Sequence, residues 1–590
     1  MREVFMAQKQ EKEQQALLAR DIRHTPARPE SVSAGIVLVA ALAYIFCLLI
    51  SITPLQRLHS TIHFAQVKTN RLLTIWGSWL PTDLHLAKNA ATSRHSTSVL
   101  ELIVLIALIF VIYGLCALLL QRQPASNKYT LTFWLIALAV IASGLILVLA
   151  PVLVSPVIFT YADYGLSIAA FHANPYFVPP TAHPANPLLA FDNWRSSTAA
   201  DGPLWLVVCA FVAKVATAHP LRYLLAFRLL GLAIHLVNFT LIAAILRNLG
   251  RSPRVVATGM LLYAWNPLIL IALCLNGYND SLVLTFLLLG TLLGIQAEQA
   301  RHNSFLRPGS YLPPLISFTL AALIQPLVAP LAVLFLLLLA RKAYTITSDF
   351  PDSTGRGQRP LAIIISGVAV SGLVVLALYG PFWIGHSIPA ILSSFRSAPP
   401  TQLAQGSIFA ALQQWGAVHG RLGGFLALLS QHRAWDALSV VVVIVGLVSG
   451  GGSLWHAPTM RNLALIALAI LTVVLLVTPW FQPSYLVWLV GIAVILLSPD
   501  WERLKSGLVA FALIITISAL LVYLFNSYQP STSWILLTPL LIFGPPVLAF
   551  LITLFLKDTL FLAELWNGGV HEGAPPPVEK VDIEGSEKSG

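Results

Sequence analysis

Charge is what this chain has least of. Of its 590 residues only 10% are Asp, Glu, Lys or Arg, while 57% are hydrophobic. A soluble domain carries about 25% charged residues, so a soluble fold is excluded and a polytopic membrane protein is expected. Cysteine is scarce too. Cys47, Cys116, Cys209 and Cys274 all lie in apolar runs and none forms a CxxC pair. They read as small hydrophobes, and neither disulfides nor a zinc site is expected. HExxH, a P-loop and a GxGxxG in a βαβ setting are missing, and His172, His183 and His219 are too scattered to argue for a metal. No cofactor or nucleic-acid partner is indicated. The net charge of +11 suits basic residues gathered on the cytoplasmic side of a membrane.

What is present is a series of long apolar runs. A spanning helix needs about 20 apolar residues. Candidate spans are 35–53, 99–120, 131–155, 222–246, 254–274, 281–296, 311–324, 326–340, 361–381, 436–454, 462–479, 485–498, 507–527 and 534–556. The expected fold is therefore all-α, with about 14 transmembrane helices. Gln325-Pro326 splits an apolar run too long for one span. The run 204–218 is short and contains Lys214, so it is expected to lie along the outer surface as an interfacial helix. Residues 1–34 are polar, do not read as a signal peptide, and form one cytoplasmic tail; 557–590 form the other. With that layout 23 of the 35 Lys and Arg fall on the cytoplasmic side. The transferase-like body is 35–556, and its large outer loop is 156–221.

Polar residues hung between spans are costly and mark candidate function. Asp163 is flanked by Tyr161 and Tyr164, and apolar surroundings would raise its pKa toward that of a general base. It could equally cap the following turn. Asp201, before Gly202-Pro203, is a second candidate base or an N-cap. Asn279-Asp280 opens a span, where capping and substrate binding are compatible. Asp192-Asn193-Trp194-Arg195 offers a cation and a ring for stacking on sugar, or an internal Asp192–Arg195 pair. Gln482 and Tyr485 sit in an outer aromatic junction that also reads as an interfacial belt. Arg195, Arg228 and Arg396 are candidate phosphate ligands. Arg228 lies inside a span, where snorkelling to the head groups is the plainer alternative.

Taken in order, several short motifs resemble the GT-C superfamily of membrane glycosyltransferases, in particular bacterial polyprenyl-phosphate-mannose-dependent mannosyltransferases. They are Tyr161 with Tyr164-Gly165, His172-Ala173-Asn174-Pro175-Tyr176, Gly202-Pro203-Leu204-Trp205, Trp265-Asn266-Pro267-Leu268, Asn276-Gly277-Tyr278-Asn279-Asp280, Tyr379-Gly380-Pro381-Phe382-Trp383 and Phe481-Gln482-Pro483-Ser484-Tyr485. The resemblance implies a lipid-phosphate sugar as donor, a lipid or glycan acceptor, and inversion at the anomeric carbon. It implies an acid in the first large outer loop that deprotonates the acceptor, and cations that steady the departing phosphate. Asn174 and Tyr176 would belong to the substrate site. The family's acid would fall on Val157 here, so Asp163 or Asp201 is expected to take over its work. The rivals are a catalytically silent lipid-glycan binder on the same fold and, further off, a secondary transporter.

Overall fold

The computed structural model describes residues 30–63, 83–87, 96–123, 129–150, 152–216, 220–300, 307–348, 358–397, 406–419, 424–498, 503–528 and 532–555. Both expected cytoplasmic tails lie outside the described residues. Three helices open the bundle: α1 (Glu30–Leu58), α2 (Ser96–Gln121) and α3 (Thr130–Leu149). The outer-loop region follows with α4 (Val157–Ala169) and α5 (Pro203–Ala216). Next come α6 (Pro220–Asn248), α7 (Pro253–Ala264), α8 (Pro267–Leu270) and α9 (Asp280–Gln299). The split region holds α10 (Pro308–Ala322), α11 (Ala329–Ser348) and α12 (Gln358–Trp383). Short helices α13 (Ile388–Ser397), α14 (Ile408–His419) and α15 (Gly424–Leu429) lead to α16 (His432–His456), α17 (Met460–Val477), α18 (Leu486–Ile495), α19 (Arg503–Tyr528) and α20 (Thr532–Phe555).

Eleven helices among the described residues are long and apolar enough to cross a membrane, or twelve if the bent pair Pro253–Ala264 and Pro267–Leu275 is one span. The all-α membrane architecture stands, with fewer full-length spans than fourteen. The difference lies in α10 and α18, which at 15 and 10 residues fall short of the length a bilayer asks for. Every residue of α18 is buried, so it is a core helix wrapped by others. Three short strands are the one addition to the helices: β1 (His59–His63) pairs antiparallel with β2 (Asp83–Ala87), which pairs parallel with β3 (Val152–Leu153).

Breaks in the apolar runs have local causes. The 49° bend between α7 and the next segment falls at Asn266-Pro267. Proline removes a helical donor there, and the Asn266 side chain accepts from the Leu268 and Ile269 amides to restart the helix. Gln325-Pro326 breaks the chain between α10 and α11 as expected, with a single 3₁₀ turn at Pro326–Val328. Helix α5 is 14 residues long, with Val207, Phe211 and Val215 exposed on one face and Trp205, Leu206, Cys209 and Val212 buried on the other. That two-sided pattern suits a helix lying in an interface.

Glycines of the motifs set how closely these elements approach. A Cβ on Gly165 would sit 2.3 Å from the Cys209 carbonyl oxygen, so α4 and α5 touch backbone to backbone. A Cβ on Gly202 would sit 2.0 Å from the Leu323 carbonyl oxygen. At that contact the Gly202 amide donates to the Ile324 carbonyl at 3.0 Å, and the Leu204 amide donates to the Leu323 carbonyl at 3.3 Å. The 156–221 loop is thereby clasped to the break after α10.

Candidate active site

A cavity of about 520 Å³ lies where the 156–221 loop meets the last two helices. Its walls include Ser155, Val157, Asn193, Trp194 and Tyr278 from the first half of the chain. Gln414 of α14, Phe481 and Gln482 of the outer junction, and Tyr523 and Asn526 of α19 come from the second half. Trp194 and Trp480 meet edge to face at 5.3 Å, forming one corner. Of the residues singled out in the sequence, Trp194 and Gln482 line this space. So does Val157, the position where an acid was expected. No charged side chain is among the lining residues.

The acids form two groups, and none of them is among the lining residues. Asp163 is mid-way along α4 and fully buried, not at a helix start where it would cap. Asn186 donates to its Oδ1 at 2.8 Å, and Oδ2 has no hydrogen-bond partner among the described residues. Asp192 faces it, also buried; its Oδ1 accepts from the Thr160 hydroxyl at 2.5 Å and from the Trp194 amide at 2.8 Å. Burial first, and then the Asp192 charge, push the Asp163 carboxyl far above the usual carboxylate range. Burial raises Asp192 as well. Burial thus favours the protonated form of each. Asp192 is thus a buried partner of Asp163, where the sequence had suggested a solvated pair with the exposed Arg195.

The second group gathers Asp201, Asn279 and Asp280. Asn279 makes no capping bond; its amide donates to Asp201 Oδ1 at 2.7 Å. The Asp201 carboxylate is therefore held by Asn279. Asp201 is half-buried, and burial pushes its pKa up to about 6 against the hydrogen bond from Asn279. Asp280 is buried, and its Oδ1 has no partner among the described residues. Tyr161 and Tyr485 both lie within the electrostatic reach of Asp201 and Asp280. Tyr161 packs edge to face on Trp205 at 5.0 Å.

Most of the remaining candidates are committed to architecture. Arg228 is fully buried and is not among the residues that line this cavity. Its guanidinium donates to the carbonyls of Leu275 at 2.7 Å, Val148 at 3.1 Å, Ala150 at 2.7 Å and Val152. It neither snorkels nor presents itself to a phosphate; it collects the orphan carbonyls at the end of α3. The Asn174 amide donates to the Phe382 carbonyl at 2.6 Å, and Tyr176 donates to the Asp201 carbonyl at 2.8 Å. Tyr164 donates to the Ser197 and Thr198 carbonyls at 3.3 and 3.2 Å. Arg396 falls in α13, but its side chain lies outside the described residues. Among the described residues no three His, Cys, Asp or Glu side chains come together as metal ligands would.

Residues 68–342 match the family model described as alpha-(1->6)-mannopyranosyltransferase, N-terminal domain. The chain is similar to membrane mannosyltransferases. No curated protein and no solved structure matches it. The mannosyltransferase match covers just under half of the chain and includes both acid groups, Val157 and the first-half wall of the cavity. Asn193, Gln414 and Asn526 also line the cavity and were not singled out in the sequence. Asn193 had a signal in its neighbours Asp192 and Trp194. Gln414 and Asn526 had none, because only the packing of α14 and α19 against the loop brings them there.

Proposed function

We propose that this protein is a membrane mannosyltransferase that moves mannose from a polyprenyl-phosphate donor to a glycan or glycolipid acceptor at the outer face, with inversion at the anomeric carbon. The observation that carries the reading is the mannosyltransferase family match across the loop that walls the large cavity. Asp201 is the base in this reading. It is half-buried, held by Asn279, and has its pKa pushed up to about 6, so it is ionised at neutral pH yet basic enough to take a hydroxyl proton. Asp163 fits this role less well, because a fully buried carboxyl with its pKa pushed up to about 8 has neither access nor charge at neutral pH. Asp163 instead supports the loop through Asp192, whose carboxylate holds the Trp194 amide. Arg195, exposed on that loop, is the phosphate ligand in this reading, since Arg228 is committed to carbonyls.

The test is transfer of labelled mannose from polyprenyl phosphate to α-(1→6)-linked manno-oligosaccharides by the purified protein in nanodiscs. Asp201→Asn should lower the rate by about 10²- to 10⁴-fold, the usual contribution of a general base. Transfer by Asp201→Asn at the parental rate would remove Asp201 from the mechanism. A second reading, a glycan binder with little or no turnover, is favoured by Val157 on a cavity wall that carries no carboxylate. It predicts binding of the same glycans without transfer.

A further inference from the structure

The cavity's own chemistry says what it can hold. Among the described residues its lining has no cation to balance a phosphate and no carboxylate to balance an amine. It has amides instead. Asn193, Gln414 and Gln482 line it, and their side chains make no hydrogen bond among the described residues. Gln414 Oε1 is buried and without a partner, an arrangement that costs about 1–3 kcal/mol unless something fills it. An amide offers both donors and an acceptor, which suits hydroxyls that do the same. The Trp194–Trp480 corner adds a large apolar surface with polar tips. A volume of about 520 Å³ is in the ordinary range for a small-molecule site.

We infer that this cavity is a subsite for an uncharged glycan, read by Asn193, Gln414 and Gln482 against the Trp194–Trp480 corner. The subsite rests on the glycan-handling reading above and specifies which part of the substrate enters: the neutral acceptor sugars, while the charged donor phosphate is held elsewhere. Most of the wall lies beyond residue 342, so the second half of the chain sets acceptor selectivity. The Asp163–Asp192 pair contributes by fixing the Asn193-Trp194 turn through the bond from the Trp194 amide to Asp192.

Binding is measured directly, apart from transfer. The full-length protein in nanodiscs is titrated with α-(1→6)-mannotriose and, as a charged control, with mannose 6-phosphate, following intrinsic tryptophan fluorescence or heat. The neutral trisaccharide should bind and the phosphate should not. Gln414→Met keeps the side-chain volume and removes the amide, and Trp194→Leu removes the ring. Each should weaken trisaccharide binding at least fivefold, with thermal stability checked to show that the fold is kept. Trisaccharide binding unchanged in Gln414→Met and Trp194→Leu, equal or tighter binding of mannose 6-phosphate, or no trisaccharide binding at all overturns the subsite. Sugar binding lost in the variants of a protein that transfers nothing upholds the subsite while the transferase reading fails. Transfer with an acceptor KM untouched by both variants does the reverse.

Discussion

At the scale of single residues, the two acid groups separate by how their protons behave. Asp163 and Asp192 are both raised, so the folded protein binds protons more tightly there than the unfolded chain does. The sign follows from linkage: the stabilisation is full below the ordinary carboxylate pKa of about 4 and is lost as pH climbs through the folded value. Melting temperature should therefore fall from pH 5 to pH 9 in the parent, and more shallowly in Asp163→Asn; parallel slopes would refute the raised Asp163 carboxyl. Asp201 acts on rate instead. With its pKa near 6, kcat/KM should rise with pH through that value as the carboxylate forms. A profile flat from pH 5 to 8 would count against it as the base. Arg228 carries a third expectation. Arg228→Met leaves the Leu275, Val148, Ala150 and Val152 carbonyls without their donor. Loss of several buried hydrogen bonds to a charged group costs on the order of 3–5 kcal/mol, seen as a lower melting temperature or poor yield of folded protein. A phosphate-binding role would lower donor affinity instead and leave stability alone.

At the scale of elements, the motif residues turn out to be mostly joints. Asn266 restarts a helix after a proline, and Asn276 accepts from the Val154 and Ser155 amides at 3.2 Å each, tying β3 to the turn before α9. Gly277 takes a φ of +61°, a conformation that favours glycine. Gly202 is the sharpest case. The clasp between its amide and Ile324 needs backbone contact that a methyl would prevent. Gly202→Ala should cost about 1–3 kcal/mol as overpacking and loosen the outer loop from the break at Gln325-Pro326. Gly380→Ala, in the motif on α12, is the control, since nothing lies within 4 Å of its added Cβ. Equal melting temperatures for the two variants would show that the clasp is dispensable. The sequence exposed these joints as polar and glycine-rich interruptions in apolar runs. Their partners stayed hidden, because Asn279–Asp201 and Gly202–Ile324 join positions that only tertiary packing brings together. The same reason hid Asn186 and Thr160, which hold the two carboxyls of the first acid pair.

At the scale of the whole molecule, hydropathy made the membrane class and most spans legible, because long apolar runs have few other uses. Helix count was less legible: α10 and α18 are apolar enough but too short, and hydropathy does not tell a lipid-facing helix from one buried by its neighbours. Sidedness rests on the basic residues alone, and the placement of Asp201 at the outer face depends on it. A labelling experiment decides the question with little interference, since all four native cysteines are buried. Arg195 lies exposed on the outer loop and Arg122 exposed at the end of α2, on the expected cytoplasmic side. A membrane-impermeant maleimide should label Arg195→Cys on intact cells and Arg122→Cys only after permeabilisation. Labelling in the opposite order would invert the protein. It would put the cavity and Asp201 on the cytoplasmic side, and a transfer reaction at the outer face would then be untenable.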